Sequence, residues 1–416
     1  MTLIKSGKPV TVPGMVLTDH ELQVPLDHSR PSGPTISVFA REVAGPCGRD
    51  LPFLVYFEGG PGHESIRPTR HPWSPGWLER ALEEFRVLLV DQRGTGRSTP
   101  VADLAGLAPE DQANYLTHFR ADSMVRDAEL LRQGLGVDTW SVLGQSFGGF
   151  CVLTYLSQAP RGLREAIFTG GLPPLRRPAE EVYRATYERM RERNRRYYAA
   201  YPKDRALVLE LCRYFRSHEV YLPSGDRLTP RRLRQLGILL GMSDGRERLH
   251  YMLERDPDSL GFRHDVESAL SFARNPLYAV IHEACYADGT VTGWAAQRTM
   301  PEDFLEHEEL FTGEHVFPWM FEDYSSLQPL WQAAQLLSQV AWPRLYDEAT
   351  LKSNSVPCAA AIFAEDAYVE RSFSEETAAA VRGLRPWITN EYQHNALACD
   401  GPRVLDRLLR LARGLE

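Results

Sequence analysis

The chain has 416 residues, of which 43% are hydrophobic and 25% are charged, and its formal net charge is −8 at pH 7. A chain of this size and composition can bury a large core, in two or three domains or in one large domain with an insertion, which excludes disorder as its main state. The acidic balance argues against a nucleic-acid partner. No stretch approaches the roughly 18 consecutive apolar residues that a membrane span needs, and the first residues show no long apolar signal region. We therefore expect a cytoplasmic protein with neither a nucleic-acid nor a membrane partner.

The histidines and cysteines form no pattern typical of a metal site. The twelve histidines contain no H-E-x-x-H motif, and the six cysteines contain no C-x-x-C pair. In a cytosolic chain such cysteines are expected to be reduced and buried. The glycine-rich turns match neither the G-x-G-x-x-G dinucleotide motif nor the Walker A motif. We therefore expect no metal and no organic cofactor.

The first 45 residues contain two short runs in which apolar and polar side chains alternate. Residues Glu21–Leu26 and Thr35–Val43 alternate between apolar and polar side chains, and a turn rich in proline, glycine and serine (His28–Pro34) lies between them. Alternation with a period of two predicts strands that bury one face. This region is therefore predicted to form an antiparallel hairpin.

From residue 51 onward the pattern changes to continuous apolar runs. Four such runs end in glycine-rich turns, and they span residues 51–57, 85–91, 140–144 and 165–171. Continuous apolar runs followed by helical patterns are typical of a parallel sheet covered on both faces. Ligands of such sheets bind beyond the carboxyl ends of the strands, where all of these glycine turns are expected to converge.

Residues 176–345 show amphipathic helical patterns and no strand of the buried kind. The helical stretches are Ala179–Tyr201, Pro230–Leu240, Asp244–Asp256, Val266–Arg274 and Leu327–Val340. After residue 345 the α/β pattern resumes. We therefore predict an α/β fold with a mostly parallel sheet and helices on both faces. Its core would comprise residues 1–175 and 346–416, with an inserted helical cap domain at 176–345.

The first of these helical stretches is rich in arginine, which raises the alternative of a basic nucleic-acid surface. Its arginines include Arg184, Arg189, Arg191, Arg193, Arg195 and Arg196. Glutamates interleave with them at helical pair spacing, at positions 180, 181, 188 and 192. Such spacing favours a solvated helix face with ion pairs between neighbouring turns.

A G-x-S-x-G motif spans residues 144–148 and places Ser146 directly after a predicted strand and before a predicted helix. This strand–turn–helix setting is the one that a nucleophile elbow requires, and glycines flank the serine because the turn leaves no room for a Cβ. The alternative is an ordinary tight turn. We interpret Ser146 as a nucleophile.

A serine hydroxyl needs a general base that is itself held by a carboxylate, and in this type of fold the acid and then the histidine follow the serine along the chain. His394 is the only histidine after residue 315 and lies in a loop after the last predicted strand. The preceding strand ends in Glu365 and Asp366. Asp366 is the predicted acid because the shorter side chain is the commoner orienting group, and Glu365 stays the alternative.

Acyl chemistry also needs hydrogen-bond donors for the negative charge that develops on the carbonyl oxygen. The backbone N–H of Phe147, directly after the serine, is one predicted donor. The second is expected from the glycine turn at residues 58–62, from Gly60 or Gly59.

Three motifs in this order resemble those of the proline iminopeptidases, the prolyl aminopeptidases of the α/β-hydrolase superfamily. They are G-G-P-G at residues 59–62, D-Q-R-G-x-G-x-S at 91–98 and G-Q-S-x-G-G at 144–149. The resemblance implies an α/β-hydrolase fold with a cap and selects Asp366 as the acid. It also implies a serine exopeptidase that removes an N-terminal residue, preferentially proline, from small peptides with a free N-terminus. One departure is Glu58, where smaller members of the family usually carry histidine.

The same resemblance implies cap glutamates that bind the free α-ammonium group of the substrate. The matching positions are Glu283 and Glu314, and carboxylates suit this role because they form charge-assisted hydrogen bonds. The alternative is that both are helix-surface glutamates. Tyr286, Phe317 and Trp319, together with Phe147, are candidates for the apolar walls around a pyrrolidine ring, or else for cap core.

Two other functions stay open at this point. An esterase or amidase that acts on small neutral acyl substrates would use the same three residues without the two glutamates. A non-catalytic binding protein would be marked by the loss of the serine, the histidine or the acid, and candidates for all three are present. Homo-oligomer formation also stays open.

Overall fold

The structure is a computed structural model that describes residues 4–101, 104 and 106–416. Its strands are β1 (Ile4–Ser6), β2 (Val10–Val12), β3 (Met15–Pro25), β4 (Thr35–Ala44), β5 (Phe53–Phe57), β6 (Thr69–Arg70), β7 (Trp73–Ser74), β8 (Arg86–Asp91), β9 (Trp140–Gln145), β10 (Leu163–Thr169), β11 (Cys358–Phe363) and β12 (Leu384–Thr389). Ten of them form one sheet, and β6 and β7 form a separate hairpin.

The large sheet has the order β1-β3-β4-β8-β5-β9-β10-β11-β12, and β2 pairs with β3 outside this path. The six strands from β8 to β12 in this order run parallel to one another, whereas β1 to β4 are antiparallel. The alternating runs near the N-terminus form the hairpin of β3 and β4, in which Pro25 faces Thr35.

Both faces of the parallel part of the sheet are buried, which explains the continuous apolar runs. Along β5, Phe53, Val55 and Phe57 belong to one core cluster. Leu54 and Tyr56 point to the opposite face and belong to the other. Because successive side chains of a strand alternate between faces, a strand covered on both sides needs apolar residues throughout.

Helices cover the two faces. The helices of the core are α1 (Leu78–Leu82), α2 (Pro109–Leu116), α3 (Ala121–Gly134) and α4 (Phe147–Gln158), then α16 (Arg371–Ala380), α17 (Ala396–Cys399) and α18 (Gly401–Ala412). Buried residues of α3 and α4 pack on one face, and those of α1 and α18 pack on the other. The predicted α/β class with a mostly parallel sheet is confirmed.

The chain between β10 and β11 is a long helical insertion. These strands are parallel neighbours, with Ala166 opposite Cys358, yet residues 170–357 lie between them. The helices of this insertion are α5 (Ala179–Ala200), α6 (Pro202–Ser217), α7 (Pro230–Arg234), α8 (Gly245–Leu253), α9 (Leu260–Leu270), α10 (Pro276–Ile281), α11 (Ala295–Arg298), α12 (Glu302–Glu306), α13 (Met320–Asp323), α14 (Trp331–Ser338) and α15 (Glu348–Lys352). Within residues 170–357, all of them described, the strand-type pairing is one isolated bridge between Tyr221 and Arg227.

Four short 3-10 helices complete the described elements, at Pro160–Gly162, Gln235–Gly241, Glu283–Tyr286 and Gln328–Leu330. One predicted helix is displaced: the stretch expected at Val266–Arg274 begins six residues earlier, as α9. Ser259 explains this, because its side chain accepts a hydrogen bond from the N–H of Phe262 and so caps the helix start. The domain limits at residues 175 and 345 stay predictions.

The six cysteines are free, but Cys47 and Cys399 are exposed, which differs from the expectation that all are buried. Among the described residues, no helix combines the length and the apolar character that crossing a bilayer requires. The same residues contain no group of three or more His, Cys, Asp or Glu side chains arranged to hold a metal ion.

Candidate active site

The strand–turn–helix unit at residues 140–158 holds Ser146 in a strained conformation. Ser146 lies between β9 and α4 with φ 53° and ψ −123°, a region that side chains other than glycine seldom adopt. The backbone passes so close that a Cβ on Gly148 would lie 2.0 Å from the carbonyl oxygen of Phe57. A Cβ on Gly144 would lie 2.3 Å from the Gly148 oxygen. The flanking glycines are therefore required by this turn, as the motif predicts.

His394 and Asp366 form a buried pair at the carboxyl ends of β12 and β11. His394 Nδ1 lies 2.8 Å from Asp366 Oδ2, and the two residues are 5% and 2% exposed. The other oxygen, Asp366 Oδ1, accepts hydrogen bonds from the N–H groups of Tyr368 (2.9 Å) and Val369 (3.1 Å). Because the carboxylate is an acceptor, Nδ1 carries the proton and Nε2 is left as the base.

The surroundings of His394 favour its protonated form. Burial alone would lower its pKa, but the charge of Asp366, the hydrogen bond to it and the charge of Glu314 together raise the pKa above its usual value. The alternative acid, Glu365, is turned away: Glu365 Oε1 lies 2.7 Å from a guanidinium nitrogen of Arg196. Of the two carboxylates after β11, Asp366 is therefore the one that the fold brings to the histidine.

Ser146 and His394 line one cavity of about 300 Å³. The Gln145 side chain, next to the serine, donates a hydrogen bond to the carbonyl oxygen of His394 at 3.2 Å and ties the two loops together. Among the described residues no hydrogen bond joins the Ser146 hydroxyl to the imidazole. Such bonds are often long in free enzymes and tighten when substrate binds.

The glycine turn after β5 forms the wall beside the nucleophile. A Cβ on Gly59 would lie 3.3 Å from Ser146 Cβ, so this turn packs directly against the serine. The N–H of Gly59 is already used, because it donates to Glu58 Oε1 at 3.1 Å. The N–H groups of Gly60 and Phe147 have no acceptor among the described residues, and that of Phe147 opens α4. Gly60 and Phe147 therefore stay the predicted donors to an oxyanion.

Glu314 faces the same cavity as Ser146 and His394. Its Oε1 accepts a hydrogen bond from the hydroxyl of Tyr278 at 2.5 Å. His63 also lines the cavity; burial lowers its pKa more than the charge of Glu314 raises it. The Glu314 carboxylate is thus an acceptor in the same cavity as the nucleophile, which suits a cationic ligand group.

The structure does not bring Glu283 into this cavity. Glu283 Oε1 and Oε2 accept hydrogen bonds from the N–H groups of Ala296 (2.9 Å) and Ala295 (3.1 Å), at the start of α11. Burial raises the pKa of this carboxyl to about 7, against the effect of those two bonds. The 3-10 helix that carries Glu283 turns it toward α11, so the resemblance and the observed placement disagree here.

The expected aromatic walls also lie elsewhere. Tyr286 packs against Phe150 and Tyr183, with ring centroids 5.6 and 5.8 Å away. Phe317 and Trp319 stack on each other at 5.7 Å. None of the three is among the residues that line the cavity, and neither is Phe147. Tyr286 and Phe317 are buried core residues, and Trp319 is partly buried against them. The observed walls come from Ile238, Met242, Leu270, Phe272, Tyr278, Met320 and Tyr368. These residues were missed because they stand in short helices, at helix ends and in loops that carry no local motif.

The chain was compared with known proteins. Residues 52–263 match the family model described as the alpha/beta hydrolase fold. The chain is 47% identical to a proline iminopeptidase from Aeromonas sobria, over 96% of this chain and 97% of that protein. It is 34% identical to a proline iminopeptidase from Aspergillus aculeatus, over 96% of this chain and 94% of that one. A solved structure, a proline iminopeptidase-related protein from Thermus thermophilus, is 16% identical with a TM-score of 0.41, over 95% of this chain and 97% of that chain.

Proposed function

The chain belongs to the proline iminopeptidase family of the α/β-hydrolase fold, and on this premise we propose that it releases an N-terminal residue, preferentially proline, from small peptides through an acyl-enzyme on Ser146. The observation that carries this proposal is the cavity of about 300 Å³ that contains Ser146, His394 and Glu314 together. Ligand pockets usually have volumes of about 300–1,000 Å³, so this cavity is a small one. A small cavity suits one residue of a peptide better than an extended chain.

The proposed reaction proceeds in two halves. In the first half, His394 Nε2 takes the proton of the Ser146 hydroxyl while the oxygen attacks the carbonyl carbon of the N-terminal residue. The N–H groups of Phe147 and Gly60 stabilise the negative oxygen of the tetrahedral intermediate. His394 then donates the proton to the leaving amine, and the shortened peptide departs. In the second half, water attacks the acyl-enzyme by the same route and restores Ser146.

Asp366 holds the imidazole in the required orientation throughout. Its hydrogen bond to Nδ1 fixes the tautomer that leaves Nε2 free, and its charge stabilises the imidazolium that forms in each half-reaction. The two backbone N–H groups that bind Asp366 Oδ1 keep the carboxylate from rotating away.

Glu314 is the proposed anchor for the α-ammonium group. A peptide that enters with a free N-terminus brings a positive charge into a partly buried cavity, and this charge needs a partner there. The carboxylate of Glu314, held by Tyr278, supplies that partner beside the reacting carbonyl. An N-acylated substrate has no charge to offer, so its entry leaves the carboxylate unpaired. We leave Glu283 out of this role because its oxygens are used by α11.

The test compares three substrates: a fluorogenic prolyl amide, its N-acetyl analogue and a short-chain ester. A charge-assisted hydrogen bond contributes about 1.5–3 kcal/mol, so kcat/KM for the free amine should exceed that for the acetylated amide by roughly 10- to 150-fold. Glu314→Gln should remove most of this preference. Ser146→Ala should abolish turnover of all three substrates while the protein stays folded.

Two outcomes would contradict the proposal. Equal hydrolysis of the acetylated amide or of the ester would favour the alternative function, an esterase or amidase for neutral acyl groups. Retained activity in Ser146→Ala would refute the nucleophile. The cytoplasmic location and homo-oligomer formation stay predictions.

A further inference from the structure

The arginine-rich helix α5 does more than present a solvated face. Arg195, for example, is 69% exposed and pairs within the helix with Glu192. Three other arginines reach from α5 to the chain that follows β11. Arg189 binds both oxygens of Glu370, at 2.6 and 2.8 Å, and Arg196 binds Glu365. Arg193 lies between them along the helix and is 8% exposed.

Arg193 differs from the other two arginines because its hydrogen bonds reach two separate loops. One nitrogen of its guanidinium group donates hydrogen bonds to the backbone carbonyl of Glu365 and to the side-chain oxygen of Gln393. Glu365 directly precedes Asp366, and Gln393 directly precedes His394. A single buried cation therefore joins the two loops that supply the acid and the base, one residue before each of them.

We propose that Arg193 is a positioning residue that fixes the Asp366 loop and the His394 loop relative to each other. A helix of the insertion would in this way help to set the geometry of the catalytic pair. This inference rests on the roles proposed above for Asp366 and His394. Arg193 does not touch the reacting atoms and acts through the two loops.

Asp366 and His394 stand on separate loops after separate strands. Their own hydrogen bond of 2.8 Å is one polar link between these loops, beside the edge contact of the Tyr368 ring with the His394 ring, and Arg193 supplies a second polar link. Hydrogen bonds from a charged donor contribute more than those between neutral groups, and few competing waters reach a side chain that is this buried. Since a displacement of about 1 Å in a catalytic group can lower the rate by roughly 100-fold, a second link matters for the rate.

The charges around Arg193 agree with this role. Burial lowers the pKa of its guanidinium group, whereas the nearby carboxylates of Glu365 and Asp366 raise it and Arg196 lowers it further. The two carboxylates act as counter-charges that keep this arginine inside the fold. Its positive charge also faces the carboxylate that orients His394.

The test uses Arg193→Met, which keeps the aliphatic bulk but removes both hydrogen bonds. We expect kcat for the prolyl amide to fall by about 100-fold, with KM changed by no more than about threefold because Glu314 is untouched. A small neutral organophosphate should also modify Ser146 about 100-fold more slowly.

Two controls separate positioning from general stability. Arg195→Met changes an arginine on the same helix that does not contact either loop, and it should leave all of these rates unchanged. Arg189→Met removes the ion pair with Glu370, so it should lower Tm without slowing the modification of Ser146. If Arg193→Met does not fold, Gln393→Leu removes one of the two acceptors, and it should lower kcat by roughly tenfold at an unchanged Tm.

The organophosphate needs the activated serine but no α-ammonium group, so it tests Arg193 even if the peptide substrate is wrong. The proposal is overturned if Arg193→Met, or Gln393→Leu in its place, modifies Ser146 at the rate of the unsubstituted protein. It is also overturned if Arg189→Met slows the modification as much as Arg193→Met does.

Discussion

Substitution of Glu283 is expected to change the stability of the protein without changing its activity. Its carboxyl group is buried, and its pKa is raised to about 7 from the usual 4.5. The native protein therefore binds this proton more tightly than the unfolded chain does. The contribution of this group to stability is fully present below about pH 4.5, falls as the pH rises, and is lost once the pH exceeds about 7.

The magnitude follows from the two pKa values. Each pKa unit corresponds to about 1.4 kcal/mol, so complete ionisation of Glu283 costs the native state roughly 3 kcal/mol relative to its neutral form. Glu283→Gln has nearly the same shape and cannot ionise. The amide nitrogen of the variant cannot accept one of the two backbone N–H bonds, which costs about 1–3 kcal/mol at every pH. The stability of the variant relative to the unsubstituted protein should therefore rise by about 2–3 kcal/mol between pH 5 and pH 8.

The assay is urea unfolding of both proteins at pH 5, 6, 7 and 8, followed by circular dichroism. The difference between the two free energies of unfolding cancels the contributions of the other ionisable groups. Activity toward the prolyl amide is measured on the same preparations, and kcat/KM should change by less than about threefold, because Glu283 binds the backbone of α11 and not the cavity.

Two results would refute this reasoning. A stability difference that stays constant from pH 5 to pH 8 would mean that Glu283 does not have the raised pKa. A loss of tenfold or more in kcat/KM for the free amine, with the N-acetyl analogue unaffected, would mean that Glu283 binds the ammonium group, as the family resemblance implies.

Two more predictions concern the catalytic pair and the elbow. Asp366→Asn should lower kcat by about 10⁴-fold, because the imidazole loses the partner that fixes its tautomer. The acid limb of the residual activity should move to lower pH, because the charge that raises the pKa of His394 is gone; a limb that stays in place would show that Asp366 does not set this pKa. Gly148→Ala should prevent correct folding, since its Cβ would lie 2.0 Å from the Phe57 oxygen, whereas Gly76→Ala has no atom within 4 Å and should keep the Tm. Equal Tm values for the two variants would contradict the close packing of the elbow.

Much of the core could be predicted from the sequence because its signals are local. A strand buried on both faces is apolar along its whole length, and the nucleophile elbow has room for glycine only, so the strands and the position of Ser146 follow from short stretches of chain. His394 and Asp366 were also predictable, because the fold places the acid and then the base after the last strands. The shorter side chain and the resemblance favoured Asp366 over Glu365, and the structure places Asp366 Oδ2 2.8 Å from His394 Nδ1. The catalytic roles of these residues stay predictions.

The helical insertion is different, because the direction in which its side chains point depends on how the helices pack. Glu283 and Glu314 look equivalent in the sequence, yet one binds the start of α11 and the other lines the cavity that contains Ser146. Arg193 and Arg195 are two residues apart on one helix, which places them on different faces, and only packing against the Asp366 and His394 loops decides which one is buried. Composition, the buried strands and the elbow were thus determined by the sequence itself. The lining of the cavity and the function of the arginine helix were decided by tertiary contacts, because helix orientation depends on partners far away along the chain.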